Sequence, residues 1–203
     1  MKRSDVFSNA TLAVVDSFEA KARADQLPEY WENDLVKPAR REAKTYFIRK
    51  QNRCCCYCKQ KTSSKNFKVW DVEHVLPRSS NPAFMFEPQN LAVSCPDCNT
   101  AKSNKEISKS KNYKRFPRYS NSYTIVHPHF DRYEDNIHVV GYIYTPKTPK
   151  GKETIIACDL LRFAERFIDW ENPAQVAELD ADLSEVAADS EKLKKLLTFA
   201  ATL

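Results

Sequence analysis

Only two glycines, Gly141 and Gly151, occur in 203 residues, so no glycine-rich loop or flexible Gly/Ser linker can be drawn anywhere along the chain. Apolar runs are short. None approaches the roughly 18 apolar residues that a membrane-spanning helix needs. The start, Met1-Lys2-Arg3-Ser4-Asp5, is basic without an apolar stretch behind it. No signal peptide is therefore expected, and the chain reads as cytoplasmic with no membrane partner. In that setting its seven cysteines point to thiols and metal rather than disulfides. There is also no internal repeat. What is present is 42% hydrophobic and 29% charged, a soluble globular composition sufficient for one domain or a small domain with extensions.

The net charge of +5 is unevenly spread. Residues 40–118 carry 18 Lys and Arg against 6 Asp and Glu, a local balance of +12, whereas residues 1–39, 119–169 and 170–203 balance to −2, −1 and −4. The basic segment is also the one that contains six of the cysteines. A basic stripe is often just a solvated surface, but its coincidence with potential metal ligands favours a polyanion such as DNA as partner.

Hydrophobic periodicity predicts an α+β chain. Residues 1–36 show weak helical periodicity through Leu12, Val15 and Phe18, as expected of a helical arm. Pro38 suits the first turn of a helix that carries Ala39, Ala43 and Phe47 on one face and Arg40, Arg41 and Lys44 on an exposed one. A strand is predicted from Phe67 to Val75, a second over Asn90–Ser94, and a helix from Asn99 to Ile107. Ile137–Tyr144 reads as a further strand, with a turn at Gly151. Three helices close the chain: Asp159–Trp170, Pro173–Ala188, and one capped by Ser190.

The chemistry concentrates in the basic segment. Cys55/Cys58 and Cys95/Cys98 form two Cys-x-x-Cys pairs, and two such knuckles close a tetrahedral structural zinc site. A dithiol redox pair is the competing reading of either knuckle alone. Cys54, one residue earlier, is an alternative ligand to Cys55, while Cys158 reads as a buried small residue. Between the pairs lies Asp71-Val72-Glu73-His74-Val75-Leu76-Pro77, and Asn99 follows Cys98 directly. Neutral imidazole at His74 can take a proton from water. Glu73 and the Asn99 carbonyl are oxygen donors suited to Mg²⁺ or Mn²⁺, with Asp71 behind them or on the surface. Arg78, Lys102 and Lys105 are candidates for phosphate contacts. His127 and His129, in His-Pro-His-Phe-Asp, read as structural.

The order Cys-x-x-Cys, Glu73-His74-Val75-Leu76-Pro77, Asn90-Leu91, Cys95-Pro96-Asp97-Cys98-Asn99-Thr100-Ala101-Lys102 resembles the zinc-knuckle form of the HNH, or ββα-metal, endonucleases (His-Me finger fold). The resemblance covers about 50 residues. It implies a nuclease core over 37–112, flanked by a helical arm at 1–36 and a mixed, then helical, extension at 113–203. It implies that His74 is the general base and that Asn90 fixes the loop carrying it. Glu73 and Asn99 would bind the catalytic ion, and the four cysteines a zinc ion. Glu73 stands where Asp is commoner, and Asn99 replaces a final histidine. A looser resemblance, through Pro38–Lys44, Phe84–Leu91 and His127–Asp131, is to the HNH subunit of Septu-type antiphage systems, some retron-associated nucleases included. That likeness implies an ABC-like or SMC-like ATPase partner and a hetero-oligomer.

Overall fold

A computed structural model of the protein describes residues 1–110 and 113–165. Helix α1 (Asn9–Glu19) begins where the Ser8 hydroxyl accepts from the Thr11 amide, which satisfies one of the unpaired donors of the first turn. The same Ser8 donates to Glu42 of α2 (Lys37–Lys50), tying the two helices together. Helix α2 has its proline in the first turn, where a missing N–H costs nothing, and buries Ala39, Ala43 and Phe47 at every fourth position. Small residues at that face let it pack closely across the hairpin of β1 (Asp71–His74) and β2 (Leu91–Ser94).

The hairpin is antiparallel and pairs Asp71 with Ser94, Glu73 with Ala92 and His74 with Leu91. Helix α3 (Pro96–Lys102) follows β2 at once. Two sequence expectations shift here. Phe67–Val69 is a 3₁₀ turn, held by the Asn66 side chain accepting from the Lys68 amide, so the strand starts four residues later than Phe67. The helix starts at Pro96, earlier than expected, and stops at Ser103, whose φ of 46° breaks the helical path.

Beyond the hairpin, α4 (Tyr133–Asn136) leads into β3 (Ile137–Val140) and β4 (Ile143–Pro146). These strands form a second antiparallel pair that turns at Gly141 with φ 53°. Helix α5 (Pro149–Ala157) is capped by Thr148, whose hydroxyl accepts from the Gly151 amide. Gly151 is thus helical, not a turn, and its lack of a side chain has a different cause: a Cβ there would lie 1.9 Å from the Asn136 carbonyl oxygen. Gly151→Ala should therefore destabilise the fold by about 1–3 kcal/mol, as overpacking does, although alanine is otherwise the better helix former by about 1 kcal/mol. A denaturant titration checks the sign.

The short α6 (Arg162–Glu165) falls inside the expected Asp159–Trp170 helix. The two helices predicted after it lie outside the described residues. One apolar cluster runs through the described chain. Val15 and Phe18 of α1, Phe47 of α2, Leu91 of β2, Ile155 of α5 and the loop residue Ile125 all join it. His129 belongs to this framework: its Nε2 hydrogen donates to the Leu91 carbonyl at 2.7 Å, and His127 stacks on Phe130 at 4.2 Å. Among the described residues no helix is long and apolar enough to cross a membrane.

Candidate active site

Cys55, Cys58, Cys95 and Cys98 converge, with all four sulfurs within 4.8 Å of one another. Cys58 and Cys95 sulfurs are 4.0 Å apart, close to the roughly 3.8 Å expected for sulfurs around a tetrahedral ion with bonds of about 2.3 Å. The cluster can hold zinc. Cys55 takes the first position because its sulfur accepts from the Tyr57 and Cys95 amides, whereas the Cys54 thiol donates away from the cluster to the Asn52 carbonyl. Lys59 adopts φ 60° just after the first knuckle, turning the chain back. The Cys58 and Cys98 thiols are both pushed well up, first by the hydrogen-bonded Cys55 sulfur beside each. Four sulfurs this close resist full ionisation until a cation neutralises them. The Arg162 guanidinium adds positive charge, 3.2 Å from the Cys98 sulfur and 3.8 Å from that of Cys95.

His74 ends β1, where it lines a cavity of about 990 Å³ together with Glu73, Asp71 and Asn99. It is 8% exposed and packs edge-on against Trp31, with ring centres 4.5 Å apart. Its Nε2 lies 3.1 Å from the Met85 carbonyl oxygen. A carbonyl can only accept, so Nε2 carries the hydrogen and Nδ1 is left as the basic nitrogen. Burial, and after it the Arg78 guanidinium, lowers the His74 pKa to about 3, so the ring is neutral at pH 7. Asn90, fully buried, accepts from the Leu76 amide at 2.7 Å and donates to the Leu76 and Phe84 carbonyls. These bonds fix the segment immediately after His74.

Asp71 accepts from Asn99 Nδ2 at 3.1 Å. That bond orients the amide and leaves the Asn99 oxygen as its acceptor. Glu73, 3% exposed, forms a buried ion pair with Lys102 at 2.6 Å and accepts from the Tyr57 hydroxyl at 2.8 Å. Both contacts fall on Oε1. Burial raises the Glu73 carboxyl above its usual range even with Lys102 beside it.

Lys102 differs from its expected role. The sequence offers it as a phosphate contact, yet it is 1% exposed and also donates to the His74 carbonyl at 2.9 Å. The helix phase explains this. With α3 starting at Pro96, Cys98 and Lys102 lie four apart on its buried face. Lys105 stays exposed but is tethered to the Ala157 carbonyl, and it is not among the cavity residues. Arg78 does line the cavity, held by the Pro28 carbonyl and Glu32.

Removing one partner of a buried ion pair costs about 3–5 kcal/mol. Lys102→Met should therefore lower stability on that scale, and adding Glu73→Gln should restore part of it. Thermal melts of the single and double variants check this. Trp31, Glu32 and Tyr57 were not anticipated at the site. Trp31 and Glu32 reach it from a 3₁₀ turn over Pro28–Glu32, more than 40 residues away in sequence from His74 and Arg78.

Residues 55–105 match the family model for HNH endonuclease. The chain is also similar to the Septu protein PtuB of Bacillus thuringiensis, 27% identical over 112 residues, which cover 55% of this chain and 38% of that protein. The similarity therefore spans well under half the length of this relative. No solved structure gives a significant match.

Proposed function

We propose, for a chain that carries an HNH endonuclease domain of the PtuB type, that it is a metal-dependent endonuclease hydrolysing DNA phosphodiester bonds. The observation that carries this reading is His74: a neutral imidazole at a cavity wall, its Nε2 hydrogen committed to Met85 and its Nδ1 left basic. In this reading Nδ1 takes a proton from water as the oxygen attacks phosphorus. The bond to the 3′ oxygen breaks, and that oxygen takes a proton from solvent water, leaving 5′-phosphate and 3′-hydroxyl ends. Asn90 keeps the loop behind His74 in place, and Arg78 adds positive charge to the cavity wall.

The donor set at the cavity fits a hard cation. The Asn99 oxygen and Glu73 Oε2 would hold Mg²⁺ or Mn²⁺, with Asp71 orienting Asn99. Such an ion keeps much of its water shell, so two protein donors plus phosphate suffice. When bound, it supplies neutralisation of the developing charge on the phosphate and the leaving oxygen. The cysteine cluster would hold zinc and build the scaffold.

The resemblance to Septu-type nuclease subunits adds an ABC-like or SMC-like ATPase as partner in antiphage defence. A second reading, a zinc-bearing nucleic-acid adaptor without catalysis, draws on one observation: Lys102 and Tyr57 already occupy one Glu73 oxygen. A cleavage assay separates the two. The purified chain, alone and co-purified with its ATPase, is incubated with duplex DNA, single-stranded DNA and RNA in Mg²⁺ or Mn²⁺. The expected result is cleavage to 5′-phosphate ends that stops with EDTA and resumes with added Mg²⁺ or Mn²⁺. Binding without cleavage under every condition would support the adaptor.

A further inference from the structure

Lys37, Arg40, Arg41 and Lys44 recur at spacings of three and four, which puts them on one face of α2. All four line the cavity that holds His74, Glu73 and Asn99. The neighbouring face of the helix is anchored in the core through Ala39, Ala43 and Phe47, so the basic face sits on a rigid support against the hairpin. Helix α2 also precedes the segment matched by the HNH family, and that domain does not account for it.

Glu32 supplies the second observation. It is 65% exposed, yet its two oxygens meet two different guanidinium groups: Oε2 lies 3.3 Å from Arg40 and Oε1 lies 2.8 Å from Arg78. Two arginines converging on one bidentate anion is the arrangement that recognises a phosphate. The site is thus built for an anion and holds the chain's own carboxylate.

We propose that this face of α2 is the wall of a nucleic-acid cleft. Arg41 and Lys44 hold backbone phosphates beside the one at His74. Glu32 stands in for a further phosphate between Arg40 and Arg78, and the substrate displaces it. The inference rests on the nuclease reading for which phosphate is cut, but not for binding. The chemistry recognised is the phosphodiester backbone that DNA and RNA share.

The test uses the full chain with His74→Ala to prevent cleavage, and reads fluorescence anisotropy on labelled duplex DNA, single-stranded DNA and RNA over a range of salt. Removing two phosphate contacts with R41Q/K44Q should weaken binding tenfold or more at about 0.1 M salt. It should also flatten the slope of log K against log salt by about 1.8 on duplex and about 1.4 on single strands. E32Q should act in the opposite direction, tightening binding because no carboxylate then competes with phosphate for Arg40 and Arg78, which stay positioned by the Trp31 and Pro28 carbonyls. K109Q/K114Q removes the same charge from exposed residues outside the cavity and should leave the slope as it was.

An unchanged slope in R41Q/K44Q, an equal loss in the control pair, or weaker binding in E32Q would each overturn the proposal. The two readings fail separately. A chain that binds with the expected slopes but never cuts removes the nuclease and keeps the wall. Cleavage by the unaltered chain, with slopes indifferent to R41Q/K44Q, removes the wall and keeps the nuclease.

Discussion

Replacing His74 with alanine should abolish phosphodiester cleavage while the protein stays folded and keeps its zinc. A positioned general base contributes about 10²–10⁴ in rate, and among the described residues no other histidine lines the cavity. The structural cost is smaller. The variant loses one hydrogen bond to the Met85 carbonyl and the edge contact with Trp31. Leaving one buried acceptor unpaired costs about 1–3 kcal/mol, which a protein of this size should tolerate. Single-turnover cleavage at saturating Mg²⁺ or Mn²⁺ is the measurement, with zinc content and thermal midpoint taken on the same sample. His74→Gln sharpens the outcome, because its amide can still donate to Met85 but cannot take up a proton near neutral pH. It should be as inactive as the alanine variant and more stable. Cleavage within about threefold of the parent protein in either variant removes His74 from the mechanism.

The cysteine cluster was legible in the sequence because metal binding demands one residue type at fixed spacing. Four thiolates admit few alternatives, and only the choice between Cys54 and Cys55 depends on how the chain turns there. Helix α2 was legible for a similar reason: Pro38 marks its first turn, and Ala39, Ala43 and Phe47 repeat at the helical period. Lys102 was not legible. A lysine after the second knuckle reads as solvent-facing until the helix is known to start at Pro96, which sets Lys102 one turn beyond the buried Cys98 and beside Glu73. Trp31 against His74 and Glu32 between Arg40 and Arg78 are contacts across long stretches of chain, and no local pattern encodes them. The Phe67–Val69 turn failed for a different reason. Its β-forming residues fit a strand, but the Asn66 side chain closes the backbone into a tighter turn. Local propensity yielded there to a side-chain cap.

Cys98→Ser should cost the protein its zinc and, with it, the folded core. Cys98 is fully buried and shares the cluster with Cys55, Cys58 and Cys95. Through those sulfurs the loop around Cys55 and the start of α3 are joined to one point. Zinc binding in small domains contributes apparent free energies of about 10–16 kcal/mol, comparable to or larger than the whole stability of a typical domain. Serine keeps the shape but replaces a thiolate with a poor ligand. Without an ion, the remaining thiols and the Arg162 guanidinium would have no cation to gather around. Elemental analysis should fall from one zinc per chain to none, and the thermal transition should broaden or vanish. Cys54→Ser is the internal control, since that thiol only meets the Asn52 carbonyl, and it should keep both zinc and transition. Mild EDTA treatment adds a second discrimination: it should stop cleavage by stripping the hard cation proposed for Glu73 and Asn99 while leaving any zinc in the buried cysteine cluster in place. Activity should then return with Mg²⁺ in the parent protein and stay absent in Cys98→Ser. A soluble, zinc-free Cys98→Ser protein with the parent's melting temperature would sink the structural role of the cluster, and activity surviving in that protein would separate the catalytic cavity from the knuckles altogether.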